Sequence, residues 1–236
     1  MNNYLFALGE GAADGTSALG TTRRGVLLNN LSIGYSREKS LAEAITATAT
    51  EGRLTCLLGA NGMGKTTLMR TMAGFMPPLA GSLSINGHDS THLSARRMAH
   101  LVSVVFANAT PSGNMTVWDM VAMGRTPYTN FWGKLSRRDR EIADRAIEMA
   151  GIGHLKDRKL HAVSDGERQK TMIAKALAQQ TPVLLLDEPT AFLDYPSRAE
   201  LMAMLRQLAH DEEKTVLIST HDIELAMQTA DYLWLL

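Results

Sequence analysis

Cysteine is almost missing from this sequence: Cys56 is the only one in 236 residues. A lone cysteine excludes a disulfide framework within the chain and fits a reducing cytoplasm. No apolar run approaches the ~20 residues that span a bilayer. The N-terminus has no basic stretch followed by an apolar one, so no secretory signal is expected either. Neither sign of charge is in excess, with Lys+Arg and Asp+Glu both at 24. That balance weighs against general nucleic-acid binding, which usually shows a basic surplus, and leaves room for a local basic patch. Internal repeats are absent, and so are low-complexity tracts beyond the first residues. What is present is a 45% hydrophobic, 20% charged composition, enough for the core of one large domain or of a domain with a lobe.

Residues 1–24 are rich in Gly, Ala, Ser and Thr and show no sustained period. They read as a poorly ordered extension, or as an edge strand followed by a linker. Residues 25–236 read as the folded unit. Strands are expected at "GVLLNNLSIGY", at "RLTCLLG" and at "GSLSING", which alternates and ends in an Asn-Gly turn signal. Further strands are expected at "LVSVVF", "VLLLD", "TVLIST" and "DYLWLL". The last reaches the final residue, so a natural continuation is expected. Helices are expected from about Lys65 to Phe75 and around 165–180, 196–209 and 222–229, with Pro196 suited to a first turn. Residues 108–163 are mostly helical in pattern, with "TVWD" and "SRRD" resembling capping boxes in which Asp replaces Glu. Alternation of strand and helix implies an α/β fold with a parallel sheet covered on both faces. The helical stretch reads as an inserted lobe.

The stretch "GANGMGKT" fits G-x-x-x-x-G-K-[ST] between a strand and a helix. Gly59, Asn61, Gly62 and Gly64 let successive backbone N–H groups converge on one anion, and the helix end behind them adds partial positive charge. Lys65 reaches outer phosphates, the Thr66 hydroxyl can ligate Mg²⁺, and Thr67 is expected to share in binding the nucleotide. The alternative is a glycine-rich strand-to-helix turn with an incidental Lys-Thr. "VLLLDEPT" ends a buried strand in Asp187 at the edge where open α/β sheets bind ligands. Asp187 would hold Mg²⁺, and Glu188 could deprotonate an attacking water. Alone, that pair is better read as a solvated acidic strand end. His221 closes "STH" after another strand and either bonds a terminal phosphate or is an ordinary histidine. Ser164 and Glu167 form the S-x-x-E capping box of a helix whose N-terminus, with Gly166, is also an anion site.

"GANGMGKT", "VSDGE", "LLLDEPT", "AFLD" and "STHD", in that order, resemble the ATP-binding cassette of ABC transporters from about Val26 to the end. The resemblance implies a P-loop NTPase (RecA-like) core with a mainly parallel sheet, an N-terminal antiparallel β region and an inserted helical subdomain. It implies an ATPase that uses ATP and Mg²⁺, with Glu188 and His221 catalytic. Tyr35 then falls where an aromatic ring stacks on adenine, although a strand aromatic in the core is equally open. It also implies a head-to-tail homodimer, with Ser164, Gly166 and Glu167 meeting the γ-phosphate of ATP held by the partner and Asp194 crossing the interface. "TVWDMVAMGRTPY" followed by "LSRRDREIADRAIEMAGI" is similar to the importers of iron chelates, haem and cobalamin. That subgroup implies integral-membrane permease partners, a substrate-binding protein and a location on the cytoplasmic face of the membrane. A soluble cassette ATPase acting on nucleic acid or ribosomes is the alternative. It is disfavoured because neither a second cassette nor a long coiled-coil insertion is seen. A GTPase is disfavoured because no Asn-Lys-x-Asp motif occurs.

Two features depart from the family pattern. Ala107 stands where most cassettes carry a Gln, and Asn108 is the nearest amide. In the "VSDGE" segment, Asp165 and Glu167 replace Gly and Gln, placing two carboxylates beside an anion-binding helix end. Glu167 is expected to fold back onto the Ser164 N–H, and Asp165 to face solvent or Arg168. Phe131 and Trp132 are expected either to fill the small core of the helical lobe or to line a groove for a permease helix.

Overall fold

The structure is a computed structural model that describes residues 6–8, 24–36, 38–106 and 114–236. The expectations for Ala107 and Asn108, and for most of residues 1–24, lie outside the described residues. Strands are β1 Phe6–Leu8, β2 Gly25–Ser36, β3 Lys39–Thr50, β4 Leu54–Leu58, β5 Ala80–Ile85, β6 His88–Asp89, β7 Val102–Val105, β8 Val183–Asp187, β9 Thr215–Thr220 and β10 Tyr232–Leu235. Helices are α1 Lys65–Met72, α2 Ala95–Leu101, α3 Val117–Ala122, α4 Arg137–Met149, α5 Asp165–Ala178, α6 Tyr195–Asp211 and α7 Ile223–Thr229. A six-stranded sheet runs β1-β10-β4-β9-β8-β7, and a four-stranded sheet runs β3-β2-β5-β6. Every pair in the larger sheet is parallel except β1 with β10, and every pair in the smaller one is antiparallel.

The central strands are buried along their length and largely apolar because both of their faces are covered. Leu54, Cys56 and Leu58 of β4 point into one core while Leu57 points into another. β8 divides likewise, with Leu184 and Leu186 on one side and Val183 and Leu185 on the other. The first core holds the helices of the lobe with α5, α6 and α7. The second lies between the two sheets and takes in α1 through Leu68, Met69 and Met72, all fully buried. An eight-residue helix is too short to be stable alone. Burial of each of those side chains, worth about 1.5–3 kcal/mol, holds it in place. Burial also pushes the Cys56 thiol up to about 12, with Asp231 adding to the shift, so this cysteine is an inert packing residue.

α1 stops at Met72, three residues before the expected Phe75. Gly74 adopts φ 77°, and the N–H groups of Gly74 and Phe75 bond the carbonyls of Thr71 and Arg70 in a Schellman motif. The Asn86-Gly87 signal does make a hairpin, with positive φ at both residues. β3 and α2 have no clear sequence signal. The inward face of β3 is Ala42, Ile45, Ala47 and Ala49, three of which are too small to mark an apolar stripe. α2 is seven residues capped by Ser94.

In the helical lobe both Asp-type capping boxes form, Thr116 with Asp119 and Ser136 with Asp139. The "GRTPY" segment ties the lobe to the C-terminus of α5. Arg125 donates from Nε to Asp139 Oδ1 at 2.9 Å, and from Nη1 to the Ala178 carbonyl at 2.8 Å and to Gln180 Oε1 at 3.3 Å. The Tyr128 ring lies 3.9 Å from the guanidinium carbon, and its hydroxyl donates to the Gln179 carbonyl. Carbonyls that α5 leaves unpaired at its end are thereby satisfied. Phe131 and Trp132 fill no core: both rings stand exposed on the loop before α4.

Candidate functional site

At the C-terminal end of β4 the chain turns through Gly59–Gly64 into α1. Gly64 has φ 105°, a conformation that side chains with a Cβ rarely adopt. Gly59 is needed for another reason: a Cβ there would lie 2.7 Å from the Leu236 carbonyl oxygen, because β10 runs against the start of the loop. Lys65 is buried, and its ammonium donates to the Gly59 carbonyl at 2.6 Å and to the Ala60 carbonyl at 3.4 Å. Glu188 Oε1 lies 3.8 Å from the same ammonium.

A chain of hydrogen bonds then crosses three strand ends. Thr66 Oγ1 donates to Asp187 Oδ2 at 2.7 Å, and Ser219 Oγ donates to Asp187 Oδ1 at 2.6 Å. The Glu188 N–H donates to Ser219 Oγ at 2.9 Å. Glu188 sits at φ 49°, a sparsely populated conformation for a residue with a Cβ, and this brings its carboxylate back over the loop. Its Oε2 accepts from His221 Nδ1 at 2.9 Å. Because a carboxylate only accepts, that contact places the proton on Nδ1.

Lys65, Thr66, Asp187 and Glu188 border a cavity of about 320 Å³ together with the loop residues, Tyr35 and Leu41, while Ser219 and His221 stand outside its lining. Tyr35 is 67% exposed, so it is not a core aromatic. A larger cleft of about 580 Å³ lies between α4 and the end of α6. It has no glycine loop and no hydroxyl–carboxylate pair, and chemistry rather than volume identifies the site. The cavity has backbone N–H groups at a helix start, a cation, and a hydroxyl paired with a carboxylate. Hard oxygens of Thr66 and Asp187 suit Mg²⁺, which is commonly held by one or two protein oxygens together with phosphates and water.

Ser164, Gly166, Glu167 and Asp194 line no part of this cavity. The Ser164 N–H donates to Glu167 Oε2 at 2.8 Å, and the Glu167 N–H donates to Ser164 Oγ at 3.3 Å. That backbone N–H and the Ser164 hydroxyl hold the Glu167 carboxyl below its usual range. Arg168 reaches Asp165 Oδ1 at 2.7 Å. Both carboxylates are therefore engaged locally. Asp194 caps α6 by accepting from the Ser197 N–H, and the Ser197 side chain and N–H together hold it below its usual range. A Cβ on Gly166 would come within 3.0 Å of Leu193 Cδ2, so the start of α5 and the loop before Asp194 form one close-packed surface.

Three participants escaped the sequence reading. Ser219 had a signal, since a polar residue in a fully buried strand needs a partner. Leu41 belongs to β3, which was not read as a strand. Leu236 sits beside Gly59 only through the parallel pairing of β10 with β4.

This loop, paired with a strand-end acid and a second acid beside it, defines a P-loop nucleoside triphosphatase. Residues 42–191 match the ABC transporter family model. An ABC transporter ATP-binding protein of Methanocaldococcus jannaschii is 41% identical over 86% of this chain and 69% of its own length. The ferric enterobactin transport ATP-binding protein FepC of Escherichia coli is 34% identical over 86% of this chain and 74% of its own. The dimeric structure of a bacterial ABC transporter cassette superposes with a TM-score of 0.78 at 25% identity, covering 89% of this chain and 94% of that one. The chain belongs to the ABC transporter family, as an ATP-binding subunit with the ATPase fold of that class. Among the described residues no helix is long and apolar enough to cross a membrane.

Proposed function

We propose that this chain is the ATP-hydrolysing subunit of an importer for a chelated metal of the siderophore, haem or cobalamin kind, with residues 25–236 as its ATPase domain. The observation that carries the reading is Glu188 suspended between Lys65 and His221, one residue after the Asp187–Thr66 pair. The resemblance to FepC and the "GRTPY" segment support the cargo class.

Lys65 exchanges its bonds to Gly59 and Ala60 for the outer phosphates, and the loop N–H groups stabilise their charge. Thr66 and Asp187 would hold Mg²⁺, which supplies charge neutralisation at the phosphates when bound. Glu188 takes a proton from the attacking water, the new oxygen–phosphorus bond forms, and ADP leaves with the electrons of the old one. His221 positions the Glu188 carboxylate from the outer side. Tyr35 stacks on the adenine.

Ser164, Gly166, Glu167 and Asp194 lie apart from this cavity, which accords with a head-to-tail homodimer in which each chain's α5 start covers the partner's ATP. The dimeric cassette supports that arrangement. Closure then drives permease subunits at the cytoplasmic face of the membrane, fed by a substrate-binding protein. The test is co-purification from membranes. A copurifying permease and Mg²⁺-dependent ATP hydrolysis are expected, and intact protein that ignores Mg·ATP in calorimetry would refute the scheme.

A further inference from the structure

Phe131 and Trp132 are 95% and 84% exposed, and their rings pack edge to face with centroids 5.6 Å apart. Neighbouring exposed rings on a polar surface call for a partner. Neither ring borders the cleft between α4 and the end of α6 or the nucleotide cavity. The pair stands at an exposed tip of the loop before α4. Asn130 braces that tip: its side-chain oxygen accepts from the N–H groups of Trp132 and Lys134, and its carbonyl accepts from Gly133.

The surroundings are basic in a chain whose total charge is zero. Lys134 follows the rings, and Arg137, Arg138 and Arg140 crowd the first turn of α4, all exposed. Cations at a helix N-terminus oppose the helix dipole, so helix stability does not account for them. Asp139, the acid among them, is buried against Arg125, and Glu141 pairs with Arg137. Arg138 and Arg140 have no ion pair among the described residues.

We propose that this loop is a bilayer contact, with Phe131 and Trp132 entering the headgroup region and the Lys134–Arg140 cations meeting anionic lipid phosphates. Aromatic rings favour that interface, and juxtaposed cations add attraction to a negative surface. A fluid interface moulds itself around protruding rings. The inference rests on the membrane-peripheral reading above. It assigns to the chain itself a lipid contact independent of any permease.

Trp132 makes the test direct, since Trp234 is fully buried and Trp118 is part-buried with its Nε1 bonded to Asp144. The full chain is mixed with phosphatidylcholine vesicles, with and without phosphatidylglycerol, and followed by flotation and tryptophan emission. Flotation only with the anionic vesicles, a blue shift and loss at high salt are expected. F131S/W132S should lower the partition coefficient at least about tenfold, and R138Q or R140Q about fivefold each. ATP binding should be unchanged in all three, because none of these residues touches the nucleotide cavity. Native protein that stays unbound at low salt, or F131S/W132S that floats like the native chain, overturns the proposal. So does a Trp132→Cys variant that cross-links to a permease in bilayer-embedded complexes while vesicles leave Trp132 emission unchanged. Mg·ATP hydrolysis measured on the same preparations separates failure of this inference from failure of the ATPase reading.

Discussion

His221 Nδ1 lies 2.9 Å from Glu188 Oε2, so the loop after β9 holds the carboxylate that follows β8. Glu188→Gln should keep ATP binding and lower turnover by about 10²–10⁴-fold, the usual span for a lost general base. His221→Ala should lower turnover less, because the carboxylate remains and only its orientation is relaxed. Single-turnover hydrolysis alongside ATP calorimetry checks both, and equal losses would show that His221 does more than position.

Ser219 is the hinge of the acid pair. Its hydroxyl donates to Asp187 and accepts from the Glu188 N–H. Ser219→Ala leaves Oδ1 of the buried Asp187 without its donor, at a cost of about 1–3 kcal/mol, while the Glu188 N–H keeps the Ser219 carbonyl at 3.2 Å. It should also weaken the Mg²⁺ dependence of ATP binding, since the Asp187 carboxylate is then held only by Thr66. Urea denaturation and Mg²⁺ titration measure the two effects separately.

Gly59 and Gly64 fail for different reasons. Gly64→Ala forces a Cβ into φ 105° and should distort the phosphate loop itself. Gly59→Ala drives a Cβ against the Leu236 carbonyl and should loosen β10 from β4. The first variant should lose ATP affinity more than stability, and the second the reverse. Thermal melts and nucleotide titration on both variants decide the matter.

The site was legible where chemistry is local and obscure where it depends on folding. "GANGMGKT" and "VLLLDEPT" carry their ligand logic within ten residues, and the Glu167 fold-back onto Ser164 follows from a four-residue spacing. The parallel core showed itself because strands buried on both faces are mostly apolar along their length. β3 was hidden because Ala42, Ala47 and Ala49 bury little area each. Phe131 and Trp132 stayed undecided between core and partner contact because hydrophobicity alone cannot separate a ring that packs inside from one that waits for a partner. The Gly59–Leu236 contact joins residues 177 positions apart and has no local trace.

The Arg125–Asp139 pair locks the helical lobe, and both residues are buried. Breaking such a pair leaves one uncompensated charge, so Arg125→Ala should cost about 3–5 kcal/mol. Burial pushes the Asp139 carboxyl up, but the Ser136 hydroxyl, Arg125 and the Ser136 N–H together outweigh it and leave the group below its usual range. A carboxyl depressed in the folded state contributes its stability above the unfolded value of about 3.9. That contribution is lost as pH falls through the lower folded value. The native chain should therefore weaken progressively below about pH 4, and Asp139→Asn should flatten this part of the profile while lowering stability at neutral pH. Arg125→Lys is the sharper probe. A lysine keeps the charge but cannot reach Asp139, Ala178 and Gln180 from one planar fork, so it should recover only part of the loss in a denaturation series. Full recovery would mean that charge alone, and not the three-way hydrogen bonding, ties the lobe to α5.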